Sequence, residues 1–289
     1  MWASIRNQLA ATLQRDIHFD APLPLPQDET ERKYRLNSTI GPLFIKLQPR
    51  TCCEQFACEQ RDLQRLAQYE QIMAPWPLLC GVANNVSFLL LPYHDLIDGS
   101  PEQWFQMGCE LACLHRCSEQ EMYGWDEDNF IGRTLQPNRW QKQWANFFAE
   151  ERIGWQLSLL KEKGRLAAHW NIDEIIEITH RILRQHEPSP SLLHGDLWRG
   201  NTGFTEEGAM VFDPACYFGD RETDIAMTEL FGGFPTAFYH GYESVWPLER
   251  TYHKRRDLYN LYHKLNHLNL FGDGFQLQVE QGLARLLAS

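Results

Sequence analysis

The sequence predicts an α+β protein with two lobes, a small sheet-rich lobe over residues 1–93 and a larger, mostly helical lobe over residues 94–289. Two observations support this prediction. Short apolar runs separated by turn-forming residues dominate the first region, which is typical of strands. Beyond residue 93, apolar residues recur mainly at the spacing of a helix face. A cleft between two such lobes is where a ligand is expected to bind.

The elements of the first lobe follow in order along the chain. Residues 1–16 have the pattern of an amphipathic helix, and the proline-rich stretch "APLPLPQDET" cannot be helical throughout. "KYRLNSTIGPLFIKLQ" predicts two strands joined by a turn at residues 39–42, and "PLLCGVANNVSFLLLPY" predicts two more around an Asn-Asn turn. Between these pairs, "CCEQFACEQRDLQRLAQYEQIM" has the apolar spacing of one long helix.

The second lobe is predicted from a series of helical patterns. They cover residues 101–117, 140–164, 173–186, 224–231 and 256 to the C-terminus. Only "SLLH", "TGF" and "AMVFD" interrupt them as strand-like pieces. The last two, separated by a Glu-Glu-Gly turn, predict a short hairpin.

Composition narrows the class of protein. The net charge of −11 and the pI of about 5.5 argue against nucleic-acid binding. Apolar runs such as "VSFLLLP" are too short to span a bilayer, and the N-terminus lacks an apolar signal core, so we expect a cytoplasmic protein that does not enter the membrane. The eight cysteines contain no CxxC pair, which favours packing or free thiols over zinc or disulfides.

The stretch "LLHGDLWRGN" carries the strongest chemical pattern. Asp196 and Asn201 have the D-x-x-x-x-N spacing of a phosphotransfer loop, in which the acid accepts a hydroxyl proton and the amide binds magnesium. Asp213 follows across the predicted hairpin, where a second metal-binding carboxylate is expected. A polar loop with His194 packed beneath it is the alternative interpretation.

Phosphoryl transfer also needs a lysine for the phosphates and a helix glutamate to hold that lysine. Lys46 ends the strand-like run "PLFIKL", and Glu59 lies thirteen residues later in the predicted helix. Each could instead be a solvated surface residue. Their order ahead of the Asp196 loop favours the functional pair.

These motifs resemble the aminoglycoside phosphotransferase-like branch of the protein kinase-like fold. The tryptophan in "HGDLW", the downstream "GDRETD" and the segments "YGWDEDNFIG" and "QPNRWQKQWANFFAEERIGWQ" are similar to the fructosamine kinase (ketosamine 3-kinase) family in particular. The resemblance covers most of the chain from Lys46 to Met227 and continues weakly to the end.

The resemblance implies a kinase that uses ATP and Mg²⁺, with the first lobe binding the nucleotide. Asp196 would be the base toward the 3-hydroxyl of a ketosamine, and Asn201 and Asp213 would hold magnesium. Lys46 and Glu59 would serve the phosphates. The hinge that presents backbone groups to adenine would be Tyr93, His94 and Asp95.

Other positions are implied to act around the substrate. Asp224 would support the catalytic loop by accepting backbone N–H bonds. Trp198 could stack on the sugar or could be a packing residue. Asp126 and Asn129 could line the substrate side, although a plain turn explains them as well.

The nucleotide loop departs from the family pattern. The stretch "PLPLPQDETERKYRL" has no glycine before Gly41, and prolines lack the N–H that would approach a phosphate. Its acidic residues Asp28, Glu29 and Glu31 would repel phosphate. Arg32 or Lys33 could compensate in part.

The sequence therefore predicts a kinase of ketosamines such as ribulosamine, erythrulosamine or fructosamine adducts, free or on protein lysines, with a role in protein deglycation. Two alternatives stay open: a kinase of another amine-bearing molecule such as an aminoglycoside, and a pseudokinase that only binds ligands. His263 and His267 share a helix face and could bind metal, but packing or surface exposure is favoured. The sequence does not fix the oligomeric state.

Overall fold

The computed structural model describes residues 1–27 and 31–288, so Asp28 and Glu29 of the predicted nucleotide loop lie outside the described residues. The chain divides into two compact units. Unit 1 comprises Met1–Asp98 and Gly203–Asp213, and unit 2 comprises Gly99–Thr202 and Pro214–Ser289.

Unit 1 is built on a five-stranded antiparallel sheet of order β1-β2-β3-β5-β4. The strands are β1 (Leu23–Pro24), β2 (Arg32–Ser38), β3 (Gly41–Pro49), β4 (Leu79–Ala83) and β5 (Val86–Pro92). Both predicted hairpins are present. Ala83 pairs with Val86 across a two-residue turn whose first residue, Asn84, has a φ of 59°, a conformation that asparagine tolerates better than most residues.

Two helices cover opposite faces of this sheet. Helix α1 (Trp2–Leu13) packs on the face formed by alternate residues of β3, among them Ile45, and contributes Ile5 and Leu9 to that core. Helix α2 (Cys53–Ala67) packs on the other face, where Phe56 and Leu63 meet Leu89 and Leu91 of β5. Because side chains alternate along a strand, Lys46 lies on the α2 face.

Unit 2 is mostly helical. Its helices are α3 (Pro101–Arg116), α4 (Trp144–Phe147), α5 (Trp155–Glu162), α6 (Ile172–Leu183), α7 (Glu222–Glu229), α8 (Thr236–Val245), α9 (Tyr252–Phe271) and α10 (Gln276–Leu287). Two short antiparallel pairs join β6 (Asn129–Ile131) to β7 (Thr134–Gln136) and β8 (Ser191–Leu193) to β11 (Tyr217–Gly219).

A late hairpin belongs to unit 1, although the sequence analysis assigned it to the second lobe. It consists of β9 (Thr202–Thr205) and β10 (Gly208–Val211). The Val211 amide donates to the Met73 carbonyl at 2.9 Å, and the Ile97 amide donates to the Phe204 carbonyl at 2.8 Å. These backbone bonds to segments before Gly99 explain the assignment.

Some elements of unit 2 were not predicted. Strands β6, β7 and β11 and helix α8 lie where the sequence analysis assigned none. The predicted helix from residue 256 to the C-terminus is two helices, because the chain turns at Gly272, whose φ of 77° is readily adopted by glycine. The predicted helix over residues 140–164 begins at Trp144, and its central turn is π-helical over Phe148–Gly154.

The tryptophan-rich middle segment builds the core of unit 2. Trp144 donates through its indole N–H to the Tyr259 hydroxyl at 3.0 Å. Arg152 is fully buried, lies 4.0 Å from the centroid of the Tyr217 ring and donates to the Pro137 carbonyl at 2.6 Å. These contacts fix α9 and β11, the elements next to the candidate catalytic loop. No helix within the described ranges is long and apolar enough to cross a membrane.

Candidate active site

A buried lysine with two carboxylates forms a candidate site in unit 1. Lys46 of β3 is only 4% exposed, donates to Glu59 of α2 at 2.8 Å and makes a second, shorter ion pair with Asp213. Asp213 follows strand β10, so three segments far apart in the sequence converge here. The structure thus brings together the lysine, the helix glutamate and the hairpin aspartate that the sequence analysis singled out.

The charges of this cluster shift one another's proton affinity. Burial alone would lower the pKa of Lys46, but the negative charges of Asp213 and Glu59 outweigh burial and raise it. Partial burial opposes ionisation of Asp213, yet the Lys46 ammonium lowers the pKa of that carboxyl. Burial raises the pKa of Glu59 to about 8. Lys46 is therefore held as a cation, and Asp213 is the more acidic of its two carboxylate partners.

Asp213 has a left-handed backbone conformation, with a φ of 56°. A residue with a side chain is disfavoured there, and such strain often marks functional sites. The preceding hairpin and the ion pair to Lys46 hold the residue in place. This geometry presents the carboxylate at the end of a strand.

The candidate catalytic loop lies in unit 2. The Asn201 side-chain amide donates to the Asp196 backbone carbonyl at 2.9 Å and to its carboxylate oxygen Oδ2 at 3.1 Å. The Asp196 amide donates to His194 Nδ1 at 3.3 Å. The Asp196 side chain is 21% exposed, so a partly accessible carboxylate is held in one orientation by an amide five residues later.

Asp224 of α7 supports this loop from beneath. Its buried carboxylate accepts the backbone N–H of His194 at 2.8 Å and that of Gly195 at 2.9 Å, and it lies 3.3 Å from the His115 ring nitrogen. Burial opposes ionisation, but His115 and these amides lower the pKa of Asp224. Gly195 has a φ of 81°, and a Cβ there would lie 2.0 Å from the Ala215 carbonyl oxygen, so the loop requires glycine.

Trp198 is the exposed aromatic residue of the loop, with 36% of its surface accessible. Its ring meets Phe231 edge-on at 6.2 Å between centroids. The ring also covers Gly200, where a Cβ would lie 2.3 Å from the indole. One part of the indole therefore packs and another part faces solvent. The structure is compatible both with a packing role for Trp198 and with stacking on a sugar.

The predicted hinge residues follow β5 in unit 1. The Tyr93 amide donates to the Pro42 carbonyl at 3.0 Å, so that N–H is already engaged. Arg35 of β2 lies 4.5 Å from the centroid of the Tyr93 ring and 3.7 Å from the exposed carboxylate of Asp95. His94, which lies between Tyr93 and Asp95 in the sequence, is half-buried. The sequence analysis did not identify Arg35, because its contact depends on strand pairing.

Asp126 and Asn129 have different environments. Asp126 is exposed. Asn129 is 1% exposed, donates to the Cys216 carbonyl at 2.9 Å and accepts from Gln136 and from Asn138, each at 2.8 Å. These bonds engage the Asn129 amide inside the protein, so we assign it to support of the β6–β7 segment rather than to substrate contact.

His263 of α9 is a residue near the loop whose position sequence reasoning missed. It is 3% exposed, and its Nδ1 has no hydrogen-bond partner among the described residues while lying 4.0 Å from Asp196 Oδ1. Burial lowers the pKa of His263 to about 3, so the ring is neutral at physiological pH. Nothing in the spacing of this helix distinguishes His263 from a packing residue.

The "GDRETD" segment contributes a second charged network to unit 2. His186, Asp220 and Glu222 bring possible metal-ligand atoms within 4.8 Å of one another. The Asp220 carboxylate is hydrogen-bonded to His186 at 2.7 Å and accepts from the Tyr259 hydroxyl at 2.5 Å. The Arg255 guanidinium donates two hydrogen bonds to Glu222, each at 2.7 Å. These partners balance the carboxylates, which explains the cluster without a metal ion.

The donors expected for magnesium are of the right type. Mg²⁺ prefers carboxylate and amide oxygens and usually takes few of them from the protein. Asp213 offers a carboxylate, and the Asn201 amide nitrogen is committed to Asp196, so its amide oxygen has the chemistry of a ligand. The oxygen atoms of Asp213 and Asn201 are therefore of the chemical type that Mg²⁺ prefers.

Comparison with solved structures identifies the fold. The crystal structure of the aminoglycoside phosphotransferase APH(4)-Ia in complex with ADP and hygromycin B has a TM-score of 0.62 at 12% identity, covering 99% of this chain and 97% of that chain. At that identity the likeness shows the fold alone. The fold is the predicted α+β, protein kinase-like one.

Closer relatives give the family. Residues 1–289 match the model of the fructosamine kinase family, and the chain belongs to that family and is a phosphotransferase. A protein of Vibrio parahaemolyticus named as a probable ketoamine kinase is 45% identical over the full length of both chains. A protein of Haemophilus somnus, described as a candidate fructosamine-3-kinase, has a crystal structure with a TM-score of 0.93 at 34% identity, covering 99% of this chain and 98% of that chain.

Proposed function

We propose that this protein is an ATP-dependent kinase that phosphorylates the 3-hydroxyl of ketosamines. The observation that carries the proposal is the Asp196 carboxylate, which is partly accessible and oriented by Asn201. A base that is to accept a hydroxyl proton must be both accessible and fixed in direction. Membership in the fructosamine kinase family supports the ketosamine as the class of acceptor.

The proposed reaction transfers the γ-phosphoryl group to the sugar oxygen. Asp196 takes the proton of the attacking hydroxyl, the bond from the γ-phosphorus to the bridging oxygen breaks, and ADP leaves. Lys46, held by Glu59, binds the phosphates of the nucleotide, and the hinge at Tyr93, His94 and Asp95 receives the adenine. Asn201 and Asp213 would hold magnesium, which neutralises charge on the phosphate oxygens.

The sugar side of the proposal rests on Trp198 and on charge. A flat, exposed indole next to the base can cover the apolar face of a sugar ring. The protonated amine of a ketosamine suits a chain with a net charge of −11. A phosphate at the 3-position is a better leaving group than the hydroxyl, so its elimination, followed by hydrolysis of the carbon–nitrogen bond by water, would release the amine and give the enzyme a role in protein deglycation.

The test is incubation of a synthetic ribulosyl-lysine peptide with the protein, magnesium and ATP, followed by mass spectrometry. We expect one added phosphate with the wild type and none with Asp196→Asn. The same peptide without the sugar is the negative control. If ATP stabilises the protein but the peptide gains no phosphate, the acceptor is another small molecule, such as an aminoglycoside. If ATP neither stabilises the protein nor supports turnover, the protein is a pseudokinase.

A further inference from the structure

We propose that Lys33 is a second phosphate-binding cation of the nucleotide site and takes over part of the role that glycine amides would fill in the preceding loop. The inference rests on the proposed use of ATP. It starts from the segment before β2, in which Pro24 at the end of β1 and Pro26 of the following loop have no N–H to offer a phosphate. A loop of this composition needs side-chain cations to bind phosphate oxygens.

The register of the sheet places Lys33 beside Lys46. Lys33 of β2 is paired directly with Lys46 of β3 in the antiparallel ladder. Residues directly opposite each other on antiparallel strands project on the same face of the sheet. Lys33 therefore shares the α2 face with Lys46, and the buried pair of Lys46 and Glu59 marks this face as the one that serves the phosphates.

The same register excludes Arg32, the other basic residue of this stretch. Arg32 is paired with Leu47, a core residue of the face that packs on α1. Because neighbouring side chains of a strand alternate, Arg32 and Lys33 project on opposite faces. The sequence pattern alone does not distinguish Arg32 from Lys33. The strand pairing does, because it places them on opposite faces of the sheet.

Lys33 already belongs to the charge cluster of this face. Its Nζ lies 3.3 Å from Glu31 Oε1, and Glu31 Oε2 accepts from Gln48 at 3.0 Å.

The Lys33 side chain is positioned to exchange partners. It is 28% exposed, whereas the Glu31 side chain is 11% exposed and keeps its bond to Gln48. A lysine is a compact charge on a flexible stem and binds phosphate as a point charge. A nucleotide phosphate can thus draw the ammonium away from Glu31 without moving the backbone.

The experiment is calorimetric titration of the full-length protein with ATP, ADP and adenosine, each with magnesium. We expect Lys33→Gln to bind ATP and ADP about tenfold more weakly than the wild type, as for loss of one charge-assisted hydrogen bond, and to bind adenosine unchanged. Lys33→Arg keeps the cation and should retain most of the affinity. Arg32→Gln removes the same charge from the opposite face and should bind all three ligands like the wild type.

A second variant distinguishes direct contact between Lys33 and phosphate from repulsion of phosphate by Glu31. Lys33→Gln removes the cation beside Glu31, and that carboxylate could repel phosphate by itself. In the double variant Glu31→Gln/Lys33→Gln the pair is neutral, and the weaker binding of ADP must persist. Recovery of wild-type affinity in the double variant, or equal effects of Lys33→Gln and Arg32→Gln, overturns the proposal. Absence of ATP binding by the wild type itself overturns the proposed function and this inference together.

Discussion

In unit 1, Lys46 joins carboxylates that come from α2 and from the end of the β9–β10 hairpin, so its two partners lie 13 and 167 residues away. In unit 2, Asp196 and Asn201 lie five residues apart in one loop, and Asp224 fixes that loop through two backbone N–H groups. The first arrangement depends on ion pairs between distant segments. The second depends on hydrogen bonds to the backbone of a single segment.

The difference predicts which substitutions separate chemistry from stability. A buried charge whose partner is removed is left uncompensated, so we expect a change in the ion-pair cluster to disturb both the fold and the proposed nucleotide site. The loop is held by Asp224 from beneath, so a change at its accessible carboxylate alters the reaction and spares the fold.

Asp196→Asn should reduce kcat about 10²–10⁴-fold, because the amide cannot accept the hydroxyl proton. The Asn201 side chain can still donate to the new amide oxygen, so ADP affinity and the melting temperature should equal those of the wild type. Single-turnover phosphorylation of a ribulosyl-lysine peptide and ADP titration measure the two quantities. Turnover within a few-fold of the wild type would mean that Asp196 is not the base.

Lys46→Met should lower turnover and nucleotide affinity and also reduce the free energy of unfolding by about 3 kcal/mol, because it leaves two partly buried carboxylates without their buried cation. Urea unfolding and ADP titration are the measurements. The double variant Lys46→Met/Glu59→Leu removes one of these carboxylates and should regain stability while staying inactive. A fully stable Lys46→Met protein would show that the cluster does not need its ion pairs.

Asp224→Ala should destabilise the protein by about 3 kcal/mol, since the buried amides of His194 and Gly195 lose their acceptor. Turnover should fall as well, because the loop loses its support. Glu119→Ala, a change at an exposed position of unit 2, is the control and should leave both quantities unchanged. Unchanged unfolding of Asp224→Ala would mean that the loop holds its shape without this carboxylate.

His263 should make unit 2 sensitive to acid. Its folded pKa of about 3 lies below the unfolded value near 6.5, so its contribution to stability is fully present above pH 6.5 and is lost as pH falls toward 3. Between pH 6.5 and 5 the loss is about 2 kcal/mol. His263→Phe should remove this part of the pH dependence, as followed by urea unfolding at each pH.

His186 is the matched comparison, because its shift has the opposite sign. Burial would lower its pKa, but the bond to Asp220 outweighs burial and raises it. Its contribution is present below the unfolded value and is lost as pH rises through the raised one. His186→Gln should therefore lower stability on the acid side of the profile, below about pH 6.5, and leave the alkaline side, where the contribution is already lost, unchanged. Identical profiles for the two variants would contradict these assignments.

The sequence by itself determined the elements and the chemistry that depend on local pattern. Two-residue turns and alternating apolar residues fix the hairpins of unit 1, and the spacing of Asp196 and Asn201 within one loop predicts a phosphotransfer motif. The sequence also singled out Lys46, Glu59 and Asp213, because each stands at a recognisable position on a strand, a helix or a hairpin end. Local geometry suffices for such features.

Tertiary structure decided everything that depends on which distant segments meet. The β2–β3 register distinguishes Lys33 from Arg32, and burial of Asn129 removes it from the substrate side. Packing of α9 brings His263 to within 4.0 Å of Asp196, although no spacing in that helix indicates it. The physical reason is common to all three: an exposed and a buried polar residue have the same pattern in sequence, and only the neighbours that folding supplies distinguish them.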